Sequence, residues 1–259
     1  FYGLAVLCGD DPHLQELLGR IGRPYITYGL GEHCDVRATH VRRNGLQTSF
    51  DVVRPGRDQP LSVTVNLPGT HNILNSMAAI CVATELGIDD AAVQRALAKF
   101  QGVDRRMQLI GHVPVPGGEI TVVDDYGHHP TEIAATLEAV RQGYAGRRVV
   151  LCFQPHRFTR TRDLLDDFAR VLSTPDVLLV TEVYAAGEVP IAGADGRAIC
   201  RAVRSRGQVE PVFVEKVEQL TESLRDLLRP GDVVLTMGAG HIGAVVHELP
   251  KQLAQGGAA

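Results

Sequence analysis

From residue 108 onward, short apolar runs alternate with stretches of helical period, and this alternation constrains the fold more than any other feature of the chain. The runs at 108–113, 120–126, 148–153, 177–183, 211–214 and 232–237 read as strands. The stretches at 130–142, 161–172, 195–206, 216–228 and 240–254 read as helices. Such alternation gives an α/β fold, a parallel sheet covered by helices on both faces. In open sheets of this kind ligands bind at the carboxyl ends of the strands, where helix N-termini favour anions. The segment after each strand is therefore where chemistry is expected.

The first such segment is DDYGHHPTE, 124–132. It places Asp124, Asp125, Tyr126, His128 and His129 at a strand end, directly before a helix opened by Pro130, Thr131 and Glu132. A lone carboxylate or imidazole here would be a turn cap, but the whole cluster at one junction reads as a site. Strand 148–153 ends in QPHRFTRTR, which carries His156, Arg157, Arg160 and Arg162. Were the two strands neighbours, the clusters would face each other across the sheet edge. Arginine's planar fork grips carboxylates and phosphates through two parallel hydrogen bonds. Cations at a helix start oppose its dipole, so an anionic ligand is expected to balance them. Strand 177–183 leads into a long loop, YAAGEVPIAGADG, in which Tyr184 and Glu188 are second-rank candidates.

GAGHIG at 238–243 spells a dinucleotide-binding fingerprint, but too little chain follows it for the second strand and distal acid that the fingerprint requires. Its glycines read as close packing of helix on strand. A zinc site at His128, His129 and His156 lacks helical ligand spacing and a cysteine, so no metal ligand is assigned. No G-x-S-x-G nucleophile elbow occurs.

The first hundred residues differ in pattern. A strand is expected over 1–8 and a helix from the Asp11-Pro12 cap. A strand at 25–30 follows, then three alternating runs at 35–42, 46–54 and 61–67 with Asn44-Gly45 in the first gap. That pattern predicts an antiparallel meander. After Pro68-Gly69, HNILNSMAA opens a helix that ends at Gly87, and a shorter helix covers 89–100. Asn72 and Asn75 share a face of the first turn, beside His71. Their amides suit an adenine edge, although from spacing alone a capping role is preferred. QGVDRRM, 101–107, reads as a linker, which gives domains 1–102 and 103–259. The tail QGGAA is expected to be disordered.

Composition excludes several classes. A net charge of −4 gives no reason to expect nucleic acid or an anionic membrane as partner. No stretch approaches the ~18 apolar residues of a membrane helix, and without a basic, then apolar run among these residues no signal peptide is expected. Five cysteines without a C-x-x-C fit a reducing, cytoplasmic compartment. Cys8, Cys81 and Cys152 lie in apolar surroundings, as small core residues do.

HNILNSMAA, DDYGHHPTE, FQPHRFTRTRDL and YAAGEVPIAGADG, in this order, resemble the Mur ligase family of peptidoglycan synthesis. The resemblance implies a Rossmann-like C-terminal domain preceded by part of an α/β ATPase domain. It implies a bacterial, cytoplasmic, ATP- and Mg2+-dependent enzyme that joins L-alanine to UDP-N-acetylmuramate through an acyl phosphate. His71, Asn72 and Asn75 match the family's H-N-x-x-N on base and ribose. Arg106 and Asp125 match residues that meet ATP on domain closure, with Asp125 expected to orient Arg106, ribose or magnesium-bound water. Tyr126, His128, His156, Arg157 and Arg160 match the alanine-binding set. Arg157 or Arg160 is expected on the alanine carboxylate and His128 as acceptor of the ammonium proton, since histidine titrates near neutrality. No Gly-Lys pair occurs, so a P-loop and the metal ligands are expected in a part beyond these residues, and the fragment is expected not to turn over alone. Two alternatives stand beside this reading. One is the recycling ligase that adds a tripeptide to the same sugar nucleotide. The other is a non-catalytic nucleotide-binding Rossmann module using GAGHIG.

Overall fold

The structure, a computed structural model, describes residues 3–255, with side chains to 253. The expected strand start at Phe1 and the tail at 256–259 lie outside these residues; Gln255, assigned to that tail, instead closes a helix. The chain divides between Gln101 and Gly102 into two compact units.

The first unit holds a five-stranded sheet in sequence order, β1 (Ala5–Cys8), β2 (Tyr25–Gly29), β3 (Val36–Asn44), β4 (Gln47–Val53) and β5 (Leu61–Val65). β1, β2 and β3 run parallel, and β3, β4 and β5 form the antiparallel meander. Gly45 turns the first hairpin at φ +58°, a conformation that costs glycine little. Asp11 caps α1 (Pro12–Leu18) by accepting from the His13 and Leu14 amides. Helix α2 (Thr70–Glu85) buries Ile73, Met77 and Ile80, spaced four and three apart, against Phe50, Val52 and Val63 of the sheet. Arg54, itself 5% exposed, holds Asp90 at the start of α3 (Asp90–Lys99) through two hydrogen bonds of 2.7 and 2.6 Å.

The second unit holds a six-stranded sheet. Its strands are β6 (Gln108–Val115), β7 (Gly118–Asp125), β8 (Val149–Phe153), β9 (Val177–Thr181), β10 (Pro211–Val214) and β11 (Val233–Met237), in the spatial order β10-β9-β8-β11-β7-β6. Five run parallel, but β6 pairs antiparallel with β7, because only a two-residue turn joins them and a parallel crossover needs a dozen residues or more. Successive strand residues face opposite sides. Leu151, Phe153 and Leu235 pack under α4 (Pro130–Gly143), α6 (Leu165–Leu172) and α7 (Gly196–Arg204). Val150, Cys152 and Val234 pack under α8 (Leu220–Arg225) and α9 (Ile242–Gln255). The helix expected at 161–172 begins earlier and breaks at Leu164 into α5 (Phe158–Asp163) and α6. The one expected at 216–228 is a 3-10 turn at Val217–Gln219 followed by the short α8.

The register fixes the site. Met237 of β11 lies level with Asp125 of β7 on one side and Phe153 of β8 on the other, and Phe153 lies level with Val180 of β9. Four strands therefore end in one row and release their loops at one edge. β7 and β8 are not the direct neighbours that the facing of their clusters assumed, since β11 lies between them.

Candidate functional site

The loop leaving β7 is fastened by its acids. Asp124 is fully buried; its carboxylate accepts from Arg105 Nε at 2.8 Å and from Thr236 Oγ1 at 2.7 Å. Asp125 is 3% exposed and accepts from the Gly127 and Met107 amides at 2.7 and 3.0 Å. Burial pushes its carboxyl above the usual range, against the two amides, which favour the anion. Arg106 stands 3.9 Å from Asp125, half exposed, with its guanidinium over the Tyr126 ring. Each Asp125 oxygen accepts from one backbone amide, with the Arg106 cation close by.

α4 begins with a capping box. His129 Nδ1 accepts from the Thr131 amide, and Glu132 accepts from the His128 and His129 amides at 2.9 and 3.1 Å. His129 is accordingly a cap. His128 Nδ1 lies 3.1 Å from the Tyr126 carbonyl, which can only accept, so Nδ1 is the donor in this contact.

The loop leaving β8 supplies His156 and Arg157. Arg157 has φ +73°, a left-handed backbone that a bulky side chain adopts only when its surroundings hold it there. Its amide donates to the Tyr184 carbonyl at 2.9 Å, the Tyr184 amide donates to the Pro155 carbonyl at 2.8 Å, and its half-exposed guanidinium stands 3.7 Å from Glu188. Arg160 Nη1 donates to His156 Nδ1 at 3.3 Å. Burial first, then His128 and the Arg160 and Arg157 cations, hold His156 below the ordinary histidine value. The dipole argument for an anion is narrowed to Arg157, the N-cap of α5, because Arg160 and Arg162 lie in the last turn of this short helix and Arg162 turns away to Asp163. Glu188 is a loop fastener: it accepts from the Thr159 hydroxyl and amide.

These loops assemble a line of five rings. Tyr126 meets His128 edge-on at 5.4 Å, His128 meets His156 at 5.1 Å, His156 stacks on Tyr184 at 5.5 Å, and Tyr184 meets His241 at 4.7 Å. Beside Tyr184 and His241 opens a hollow of about 440 Å³, lined also by Gln154, Glu182 and Lys216. The sequence reading missed His241 and Arg105, the partly buried partner of Asp124. The glycines of GAGHIG do not serve helix–strand packing alone. A Cβ on Gly240 would fall 2.7 Å from the Tyr184 side chain, and one on Gly243 would collide with the Arg105 guanidinium. They give room to side chains of the site.

In the first unit His71, Asn72 and Asn75 lie at the start of α2, with Asn75 exposed. Asn72 Nδ2 donates to the Pro68 carbonyl at 2.7 Å, a local fastening of the loop before the helix.

Residues 105–240 match the Mur ligase, glutamate ligase domain, and residues 1–83 the Mur ligase middle domain. The chain belongs to the Mur ligase family. Among relatives, this Mur ligase chain is 55% identical over 253 residues to a UDP-N-acetylmuramate–L-alanine ligase of Methylococcus capsulatus, covering 98% of the chain and 53% of that protein. The crystal structure of a UDP-N-acetylmuramate–alanine ligase of Thermotoga maritima superposes with a TM-score of 0.78 at 29% identity, over 98% of this chain and 52% of that one. A murein peptide ligase of Psychrobacter arcticus, 23% identical with a TM-score of 0.68 over 97% and 51% of the two chains, shares the fold. The chain thus spans about half the length of the relatives it matches. No described helix is long and apolar enough to cross a membrane.

Proposed function

We propose that this Mur ligase chain serves the ATP-dependent joining of L-alanine to UDP-N-acetylmuramate, in the cytoplasm, as a step of peptidoglycan precursor synthesis. The observation that carries the reading is the meeting of the His128 and His156 rings at one sheet edge, with the Arg157 cation near enough to act on His156, in a chain 55% identical to a ligase of that name. Residues 103–259 are the amino-acid-binding domain in this reading. Residues 1–102 contribute His71, Asn72 and Asn75 to the base and ribose of ATP in this reading. These 259 residues contain no Gly-Lys pair and span about half of the relative's length, and in this reading the grip on the triphosphate is proposed to come from residues other than these.

The lactyl carboxylate attacks the terminal phosphorus of ATP, releasing ADP and forming an acyl phosphate. Arg157 holds the alanine carboxylate, with Arg160 behind it fixing His156. His128 Nε2 takes a proton from the ammonium, which frees the amine to attack the acyl carbon. The tetrahedral intermediate then expels phosphate and leaves the amide. Tyr126 and the imidazole of His156 wall the alanine side. His156, kept neutral by its surroundings, adds no second positive charge beside the ammonium.

The test is ADP release by the full-length protein with UDP-N-acetylmuramate and either L-alanine or the tripeptide. L-alanine is expected to be the preferred amine, and Arg157→Ala to raise its KM about tenfold to hundredfold, the scale of a lost charged hydrogen bond. Preference for the tripeptide, or an unchanged KM in the variant, overturns the reading.

A further inference from the structure

Outside that edge, among the described residues, one group of ligand-bearing side chains stands together in the first unit. It lies where the loop after β1 meets the loop between β2 and β3. One ligand atom each of Asp10, His33 and Cys34 falls within 4.8 Å of the others. Cys34 Sγ is 3.7 Å from Asp10 Oδ1, and His33 Nε2 is 4.0 Å from the same oxygen. Around a tetrahedral zinc ion, bonds of about 2.0 Å to oxygen and nitrogen and about 2.3 Å to sulfur put ligand atoms roughly 3.3–3.6 Å apart.

The surrounding backbone is shaped to admit these three side chains. A Cβ on Gly9 would fall 2.6 Å from Cys34 Sγ, and one on Gly29 2.6 Å from the Asp10 carboxyl. One on Gly31 would collide with the His33 ring and lie 2.9 Å from Asp10 Oδ1. None of these glycines has a left-handed backbone, so conformational freedom does not account for them. The close approach of the three side chains does. The carboxylate is already aimed, since it accepts from the Leu30 and Gly31 amides at 2.7 and 3.0 Å. The amides on the Asp10 carboxylate are outer-shell bonds of the kind that orient metal ligands. His33 Nε2 lies 2.8 Å from the Gly9 carbonyl, which only accepts, so it carries the ring proton here, and binding would move that proton to Nδ1 and turn the Nε2 lone pair from the carbonyl to the metal. Cys34 is 5% exposed whereas the His33 side chain is 54% exposed, so the cluster opens to solvent on the imidazole side and has an entry path. Simple core packing does not explain a buried thiol turned onto a carboxylate oxygen.

We propose that Asp10, His33 and Cys34 form a tetrahedral site for a zinc-type divalent cation, with solvent in the fourth position. A set of one oxygen, one nitrogen and one sulfur suits zinc and disfavours magnesium and calcium, which take oxygen alone. Binding releases the thiol proton to solvent and ties the loop after β1 to the loop before β3. The site rests on these residues alone and stands apart from the ligase reading.

The test titrates Co2+ and Zn2+ into the reduced 259-residue chain. One equivalent of Co2+ is expected to develop thiolate-to-metal absorption with the visible bands of a tetrahedral ion, and Zn2+ to displace it. Cys34→Ala should abolish the thiolate band. His33→Ala, at an exposed position, should weaken Zn2+ binding by more than the roughly tenfold to hundredfold that loss of an outer-shell partner costs. Absence of stoichiometric binding, or binding that His33→Ala leaves unchanged, overturns the proposal; should Cys34→Ala not fold, His33→Ala decides it.

Discussion

His156 shows what one imidazole gains and loses at this edge. Its folded-state value is lowered, chiefly by burial, so the protonated form is less welcome in the fold than in the unfolded chain. For a lowered value, stability is fully present above the unfolded value, near 6.5, and is lost as pH falls through the folded one. His156→Gln is therefore expected to flatten the part of the stability curve below about pH 6.5, measured by denaturant titration at a series of pH values. A curve that keeps its slope would deny the unfavourable surroundings. Asp125 makes the second residue-scale prediction. Its removal leaves the buried Gly127 amide and the Met107 amide without acceptors, so Asp125→Ala should cost about 1–3 kcal/mol or more in unfolding free energy. The sequence showed these residues as chemistry in one place, and the structure brings Tyr126, His128, His156 and Arg157 to a common edge. It did not show which of them are fasteners. Asp125, His129 and Glu188 spend their polar atoms on loop backbone, and only three-dimensional partners reveal that.

The elements explain how so many polar groups stay in register. Glu132 closes the start of α4 by accepting two amides of the loop that carries His128. Glu132→Ala is expected to lower stability by about 0.5–2 kcal/mol, the range for lost helix caps. It should also impair the site, because the His128 amide is one of the two released; stability loss without any change in L-alanine KM would separate cap from site. In the core, Leu151 is fully buried on the central strands, and Leu151→Ala is expected to cost about 2–5 kcal/mol, read from the denaturation midpoint. Strand and helix periods were legible because β8 and β11 are continuous apolar runs and α4 repeats its apolar residues at helical spacing. The break at Leu164 was not, since 158–172 has no proline or glycine to mark it. Nor was the antiparallel edge: β6 and β7 both read as apolar runs, and direction depends on the length of the turn between them.

For the whole molecule, each unit keeps its own core, one around Phe50 and Ile73, the others on the two faces of the second sheet. Lys99 ends α3 and, with Phe100 and Gln101 after it, is exposed. Brief trypsin treatment is expected to cut after Lys99 and leave two resistant pieces; a chain that survives intact, or loses one half entirely, would count against the proposed division near residue 103. The order of strands along the chain was legible, but their order in space was not, because nothing local in 233–237 says that it enters between β7 and β8. That insertion has a consequence for synthesis. A ribosome that has delivered everything up to residue 232 has made both flanking strands, yet they have nothing to pair with across the gap. The emerging protein must keep two bare hydrogen-bonding edges apart until its final strand arrives. Release or pausing just before that strand is therefore the moment at which this sheet is most open to pairing with the wrong chain.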